Sequence, residues 1–106
     1  MRVKWLRNRA RTRVPLVLYA RANCPLCDEM KEQIERARVS RPFDLTQVDI
    51  AADPELEARY GLSIPVLAIA GRAAFKGRMT VDDFERKFER RAADLDDPSR
   101  AERGAS

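Results

Sequence analysis

The chain has 106 residues, of which 44% are hydrophobic and 36% charged, with a formal net charge of +4. This length accommodates one domain with one modest core, and the composition excludes low-complexity and fibrous proteins. Its apolar runs are far shorter than the roughly 20 residues that span a bilayer, so we expect no membrane span and no membrane partner.

The positive charge is concentrated in residues 1–13, where six basic residues occur without an acidic one. The rest of the chain is slightly acidic. Because no nucleic-acid-binding motif accompanies these basic residues, we interpret residues 1–13 as a solvated arm and do not expect nucleic-acid binding. We reject a signal peptide, since Pro15 interrupts the apolar run and cleavage after it would remove a predicted strand. We expect a cytoplasmic protein.

The first predicted elements are a strand and a helix. The apolar run Val14–Ala20, bounded by polar residues, predicts a buried strand. Residues 25–38 predict an amphipathic helix, which Pro25 can start because the first helical position needs no N–H donor. The apolar side chains that recur at helical spacing are Leu26, Met30, Ile34 and Ala37.

A second strand and a short helix follow. Residues 43–50 alternate between apolar and polar side chains, with a change of phase near Thr46, and predict a strand. The short helix lies within residues 51–61. Asp53 can cap its start and Gly61 can end it.

The last third of the sequence predicts a hairpin and a closing helix. A third strand over residues 65–70 turns at Gly71-Arg72 and returns over residues 73–76. Thr80 begins a capping box for the last helix, which we expect to end near Arg91. The predicted buried stripe of this helix consists of Val81, Phe84 and Phe88.

The order β-α-β-α-β-β-α predicts an α/β protein with a four-stranded mixed sheet and helices on both faces. A right-handed crossover makes the first two strands parallel, and the hairpin adds an antiparallel pair. We predict one domain over residues 14–91. Residues 92–106 lose periodicity and predict a frayed or disordered tail.

The chemistry of the chain is concentrated in the motif Cys24-Pro25-Leu26-Cys27, at the junction of a strand and a helix. Unpaired N–H groups and the positive end of the helix dipole stabilise a thiolate there and lower its pKa. Cys24 is the candidate nucleophile, and Cys27 lies one turn further on, within reach of a mixed disulfide. Arg21 can add a second positive charge.

A metal or iron-sulfur site is the alternative use of the two thiols. Zinc requires four ligands, and the chain contains two cysteines and no histidine. A complete zinc site within one chain would therefore need carboxylates. The hypothesis of a metal or iron-sulfur carrier that uses these two thiols as ligands stays open.

The sequence resembles the glutaredoxins, and more closely a small bacterial glutaredoxin-like group. The resemblance covers roughly residues 14–88 and is carried by residues 17–27, Val48-Asp49, residues 63–66 and Lys76-Gly77. It implies a thioredoxin fold, a cis peptide bond before Pro65 that faces the cysteines, and glutathione as the reductant. It also leaves open an iron-sulfur cluster bridged between two chains, with glutathione completing the ligands.

The resemblance also implies substrate or glutathione contacts. Ile64 would offer its backbone to the cysteinyl part of a substrate, beside Pro65, and Arg21 would approach a carboxylate. Leu26 stands where glutaredoxins carry Tyr or Phe. After Gly77 this chain lacks their second glycine, so the candidates for their glutathione-gripping pair are Thr80 and Asp82. The implied binding set is Arg21, Pro25, Leu26, Ile64, Pro65, Gly77, Thr80 and Asp82.

The sequence therefore predicts a thiol-disulfide oxidoreductase without a bound cofactor. Its partner would be a disulfide-containing protein or a glutathione mixed disulfide, attacked by Cys24 and resolved by Cys27. Its reductant would be glutathione or a protein of the thioredoxin-reductase type. We expect a monomer.

Overall fold

The computed structural model describes residues 13–96. Its elements follow the predicted order of strands and helices. They are β1 (Val14–Ala20), α1 (Pro25–Arg36), β2 (Phe43–Asp49), a 3-10 turn (Ile50–Ala52), α2 (Pro54–Tyr60), β3 (Val66–Ile69), β4 (Arg72–Lys76) and α3 (Val81–Asp96). Residues 1–12 of the predicted arm and residues 97–106 of the predicted tail lie outside the described range.

The four strands form one mixed sheet in the order β2-β1-β3-β4. β1 and β2 are parallel, and β3 runs antiparallel to both β1 and β4. The parallel pair arises because α1 carries the chain back to the starting end of β1 before β2 begins. The α/β class and the mixed sheet are as predicted.

The core lies on one face of the sheet, under α1 and α3. Alternate residues of β1 are buried on that face, because side chains of a strand point to opposite sides in turn. Phe84 and Phe88 of α3 are fully buried against the same cluster. Tyr19 points to the other face and stacks on Tyr60 of α2, with 4.6 Å between ring centroids. Helices therefore cover both faces of the sheet.

The hairpin turn lies one residue earlier than the sequence predicts. Ile69 pairs with Arg72, so the two turn residues are Ala70 and Gly71 rather than Gly71 and Arg72. Both have positive φ, 54° and 87°. Two-residue hairpins favour turns of this kind because their twist matches that of the strands. Gly71 adopts a positive φ without strain. Ala70 adopts one because the pairing of Ile69 with Arg72 leaves only two residues for the turn.

The closing helix α3 extends to Asp96, five residues beyond the predicted boundary at Arg91. The predicted tail is therefore wrong for residues 92–96. Ala92 is buried, with 2% of its surface exposed. Asp96 pairs with Arg41, and Asp94 pairs with Arg72 at 3.6 Å. These long-range contacts stabilise residues 92–96 as part of the helix, although their sequence shows little apolar periodicity.

Arg91 attaches α3 to the hairpin. Its Nη1 donates to the carbonyl oxygens of Ile69 and Arg72 at 3.1 and 3.0 Å, and its Nη2 donates to that of Ala73 at 3.2 Å. Desolvation by burial, with the nearby charge of Arg72, lowers the pKa of Arg91 below its ordinary value. The guanidinium thus joins the last helix to three backbone carbonyl groups of the hairpin.

None of the helices between residues 13 and 96 is long and apolar enough to cross a lipid bilayer.

Candidate active site

The two cysteines occupy the first turn of α1 and form a disulfide. Cys24 is the N-cap residue, and its Cα lies 5.2 Å from that of Cys27. The backbone N–H of Cys27 donates to Cys24 Sγ at 3.2 Å. The N–H of Asp28 donates to the Cys24 carbonyl oxygen at 3.1 Å. The sulfur of Cys24 therefore takes the place of the side-chain oxygen that usually caps a helix.

The two cysteine residues differ in their exposure to solvent. Cys27 is 2% exposed and belongs to the core cluster, whereas Cys24 is half-buried at its margin. The buried residues of α1 are Cys27, Met30 and Ile34, at spacings of three and four, and Leu26 is half-buried between the cysteines.

The residues on either side of Cys24 set its conformation. Asn23 has a positive φ of 58°, a region that asparagine tolerates better than most residues. Pro25 occupies the start of the helix, as predicted, and is exposed. The chain thus leaves β1 through a tight turn and presents Cys24 at the end of the sheet.

The strand register brings the segment Ile64-Pro65 and Gly77 to the same end of the sheet. Tyr19, near the end of β1, pairs with Val66, and Val66 pairs with Lys76. The N–H of Gly77 donates to the carbonyl oxygen of Pro65 at 2.8 Å. The Ile64–Pro65 peptide bond is cis. We call this end of the sheet, where α1 begins, the disulfide pole.

Thr80 and Asp82 lie at the start of α3, shortly after Gly77. Thr80 Oγ1 accepts the N–H of Asp83 at 3.0 Å, so its oxygen caps the helix as the sequence predicts. Both residues are exposed. The structure thus gives Thr80 a structural role that is independent of any ligand.

The structure places the Arg21 guanidinium on a carboxylate of this chain. Arg21 Nη1 donates to Glu57 Oε2 at 3.1 Å, and Nη2 donates to Glu57 Oε1. Nη2 also approaches the Gly61 carbonyl oxygen at 3.4 Å. Arg21 is a predicted site residue, whereas Glu57 was not predicted, because it lies 36 residues away and carries no local signal.

Gly61 makes room for this ion pair. A Cβ at this position would lie 2.5 Å from the Glu57 carbonyl oxygen, 2.6 Å from Glu57 Oε1 and 3.2 Å from Arg21 Nη2. Its φ is −53°, which any residue adopts. The sequence predicted Gly61 as the end of a helix, and the structure adds close approach as the reason for a glycine.

A shallow pocket of about 310 Å³ lies where β1 and β2 end. Its lining includes Ala20, Arg21, Ala22, Gln47 and Asp49. Asp49 pairs with Ala20 in the register, and its carboxylate accepts the N–H of Ala51 at 2.9 Å. The pocket lining therefore includes Arg21, which is paired with Glu57, and the carboxylate of Asp49.

Within residues 13–96, no group of three or more His, Cys, Asp and Glu side chains is arranged to hold a metal ion. The two sulfurs would need ligands from elsewhere to form a metal or cluster site.

Comparison with known proteins identifies the family. The model of a family described as "Glutaredoxin-like domain (DUF836)" matches residues 15–89. The chain belongs to this glutaredoxin-like family. The matched range contains both cysteines, the cis-proline segment and the Arg21–Glu57 pair.

Several solved structures are similar to this chain. The glutaredoxin-like chain is 32% identical to the structural-genomics target XcR50 from X. campestris, over 71% of this chain and 96% of that one, with a TM-score of 0.61. Protein Ne2328 from Nitrosomonas europaea is 22% identical, with coverages of 72% and 92% and a TM-score of 0.59. A mutant thioredoxin from Halobacterium salinarum is 17% identical over 78% of each chain, with a TM-score of 0.56. The fold is the thioredoxin fold.

Proposed function

We propose that this glutaredoxin-like protein is a thiol-disulfide oxidoreductase that reduces protein disulfides and mixed disulfides through Cys24 and Cys27. One observation carries the proposal. Cys24 Sγ lies at the start of α1 and accepts a backbone N–H, while its partner Cys27 is buried one turn further on. The N–H group and the helix dipole favour a thiolate on Cys24 once the disulfide is reduced.

The reaction begins from the reduced dithiol. The Cys24 thiolate attacks one sulfur of the substrate disulfide, forming a mixed disulfide and expelling the other substrate sulfur as a thiolate. Cys27 then loses its proton and attacks Cys24 Sγ. The Cys24–Cys27 disulfide forms, and the second substrate thiolate leaves. Two electrons pass from the dithiol to the substrate, and the two substrate thiolates take up protons.

We assign substrate contact to the segment Ile64-Pro65 and to Gly77, with Pro25 and Leu26 beside the sulfurs. The strand register supports this assignment because these segments share the disulfide pole. Leu62, in the same loop as Ile64, is fully exposed, which suits contact with a protein substrate. A reducing compartment such as the cytoplasm is where the dithiol would be regenerated.

Two serine variants test the proposal. Cys24→Ser is expected to lose turnover of a dithiol-dependent disulfide substrate, such as insulin, to the uncatalysed rate. Cys27→Ser is expected to retain attack but to accumulate a mixed disulfide, detected as a mass adduct that dithiothreitol removes. Each variant is the control for the other, because each removes one sulfur. Turnover by Cys24→Ser at the wild-type rate would exclude the mechanism.

Anaerobic reconstitution with iron and sulfide separates this function from that of a cluster carrier. We expect no stable visible chromophore and no dimer. A stable chromophore on a dimer that is lost in both serine variants would favour the carrier.

A further inference from the structure

Arg21 is the basic residue that most closely precedes Cys24 in the sequence, and a carboxylate of this chain neutralises it. Arg21 lies three residues before Cys24, so their Cα atoms are at most about 11 Å apart. Its guanidinium is held by both carboxylate oxygens of Glu57, with the side chains 33% and 39% exposed. The pair is therefore partly shielded from solvent, and its two-point geometry fixes the guanidinium on Glu57.

The surroundings of this pair add negative charge. The neighbouring pocket contains the exposed carboxylate of Asp49, and Gly61 provides the space that keeps Glu57 against Arg21. Further along the chain, Glu29 Oε2 of α1 lies 3.7 Å from Arg78 Nη1. Counting Arg21, Glu57 and Asp49, one positive charge stands against two negative charges, so the pair and the pocket beside it carry an excess of negative charge.

We propose that Glu57 is a specificity-determining residue: by neutralising Arg21 it makes anionic thiols such as glutathione poor reductants of the Cys24–Cys27 disulfide. Thiols and protein dithiols of neutral or positive local charge are then preferred. This inference rests on the proposed function and narrows the class of thiols that reduce the Cys24–Cys27 disulfide. Glutathione carries two carboxylates and one ammonium group at neutral pH, so its thiolate brings excess negative charge toward Arg21.

The step that discriminates is the attack of a reductant thiolate on the protein disulfide. The thiolate bonds to Cys24 Sγ, the accessible sulfur, and Cys27 leaves as a thiolate that takes up a proton. A second reductant thiolate then attacks the reductant sulfur of the mixed disulfide. Cys24 is released, and the two reductant molecules leave as their own disulfide. Two electrons pass from reductant to protein.

Two reductants of different charge measure the effect. Glutathione is compared with cysteamine, whose ammonium group balances its thiolate. The second-order rate constant for reduction of the protein disulfide is measured for each, per thiolate, at an ionic strength of about 10 mM, where screening is weak. The readout is the ratio of the glutathione constant to the cysteamine constant. This ratio cancels changes in the intrinsic reactivity of the disulfide.

Two variants should move the ratio in opposite directions. Glu57→Gln leaves the Arg21 charge uncompensated, and the ratio is expected to rise roughly two- to tenfold. Arg21→Gln leaves Glu57 unpaired, and the ratio is expected to fall by a similar factor. Both shifts should shrink at an ionic strength of about 1 M.

The matched control is Glu55→Gln. It removes the same charge from α2, but residues two apart on a helix point in different directions, so the Arg21 contact is retained. The ratio of the glutathione to the cysteamine rate constant in Glu55→Gln should stay within about twofold of the wild-type ratio. A ratio in Glu57→Gln equal to that of the control would overturn the inference, as would shifts of the same sign in Glu57→Gln and Arg21→Gln. If neither thiol reduces the wild-type disulfide, the inference also fails, whereas the proposed function is tested separately by the turnover of the Cys24→Ser and Cys27→Ser variants.

Discussion

Cys24 and Cys27 have the same chemistry but different roles because α1 begins between them. The N-cap position leaves Cys24 at the margin of the core with an N–H donor on its sulfur. The first helical turn directs Cys27 inward, where it is 2% exposed. The order of attack and resolution thus follows from helix geometry.

Alkylation of the reduced protein should show this difference. Iodoacetamide is expected to modify Cys24 at least about tenfold faster than Cys27, because burial restricts access to the second thiol. Mass spectrometry of peptides after timed quenching measures both rates. In concentrated guanidinium chloride the two rates should converge. Equal rates in the folded protein would contradict the assignment of nucleophile and resolver.

Gly61→Ala tests the space beside the Arg21–Glu57 pair. The added Cβ would lie 2.5 Å from the Glu57 carbonyl oxygen, so α2 or the following loop must shift. We expect a loss of about 1–3 kcal/mol in the free energy of unfolding, measured with urea. Ala58→Gly, an exposed change on the same helix, should cost only about 1 kcal/mol. A Gly61→Ala protein as stable as wild type would show that the loop yields without cost.

At the residue scale, the roles of the two cysteines could be predicted from the sequence, but the charges around them could not. A Cys-x-x-Cys motif between a strand and a helix is a local pattern, so both cysteine roles could be predicted from it. The partner of Arg21 could not, because Glu57 comes from a helix packed on the opposite face of the sheet from α1. That contact depends on the tertiary arrangement of α2, which no local pattern encodes.

The helices of this protein begin at side chains that accept backbone N–H groups. Asp53 Oδ1 accepts the N–H groups of Glu55 and Leu56 at 2.9 and 3.4 Å. Thr80 Oγ1 does the same for α3. Such residues satisfy donors that the first helical turn leaves unpaired.

Thr80→Ala should therefore weaken α3. Loss of the cap is expected to lower the free energy of unfolding by about 1 kcal/mol, as measured by urea denaturation. Thr80→Ser keeps the hydroxyl and should stay within about 0.5 kcal/mol of wild type. If the alanine and serine variants are equally stable, the hydroxyl is not the stabilising group.

At the scale of elements, the order of strands and helices followed from periodicity, and the misplaced boundaries have tertiary causes. The turn at Ala70 requires a positive φ in a residue that rarely adopts one, so the sequence favoured Gly71-Arg72 instead. The continuation of α3 beyond Arg91 is stabilised by burial of Ala92 and by ion pairs of Asp94 and Asp96. Neither boundary has a local signature.

Two truncations test the extent of the domain. A chain that ends at residue 91 loses Ala92 and both ion pairs, and should be less stable than wild type by about 1–3 kcal/mol. A chain that ends at Asp96 keeps these contacts and should be more stable than the shorter chain by that amount. Thermal unfolding followed by circular dichroism measures both. If the two truncated chains are equally stable, residues 92–96 do not stabilise the domain, and its boundary lies at Arg91 as the sequence predicts.

The molecule as a whole has its disulfide pole at one end and its described chain ends at the other. Arg13 pairs with Asp44 at the start of β2, and Asp96 pairs with Arg41 just before it. β1, which separates Arg13 from the disulfide pole, has seven residues and spans about 20 Å. A tether near Arg13 or Asp96 would therefore attach the protein to an electrode or resin with its reactive sulfur turned toward the solution.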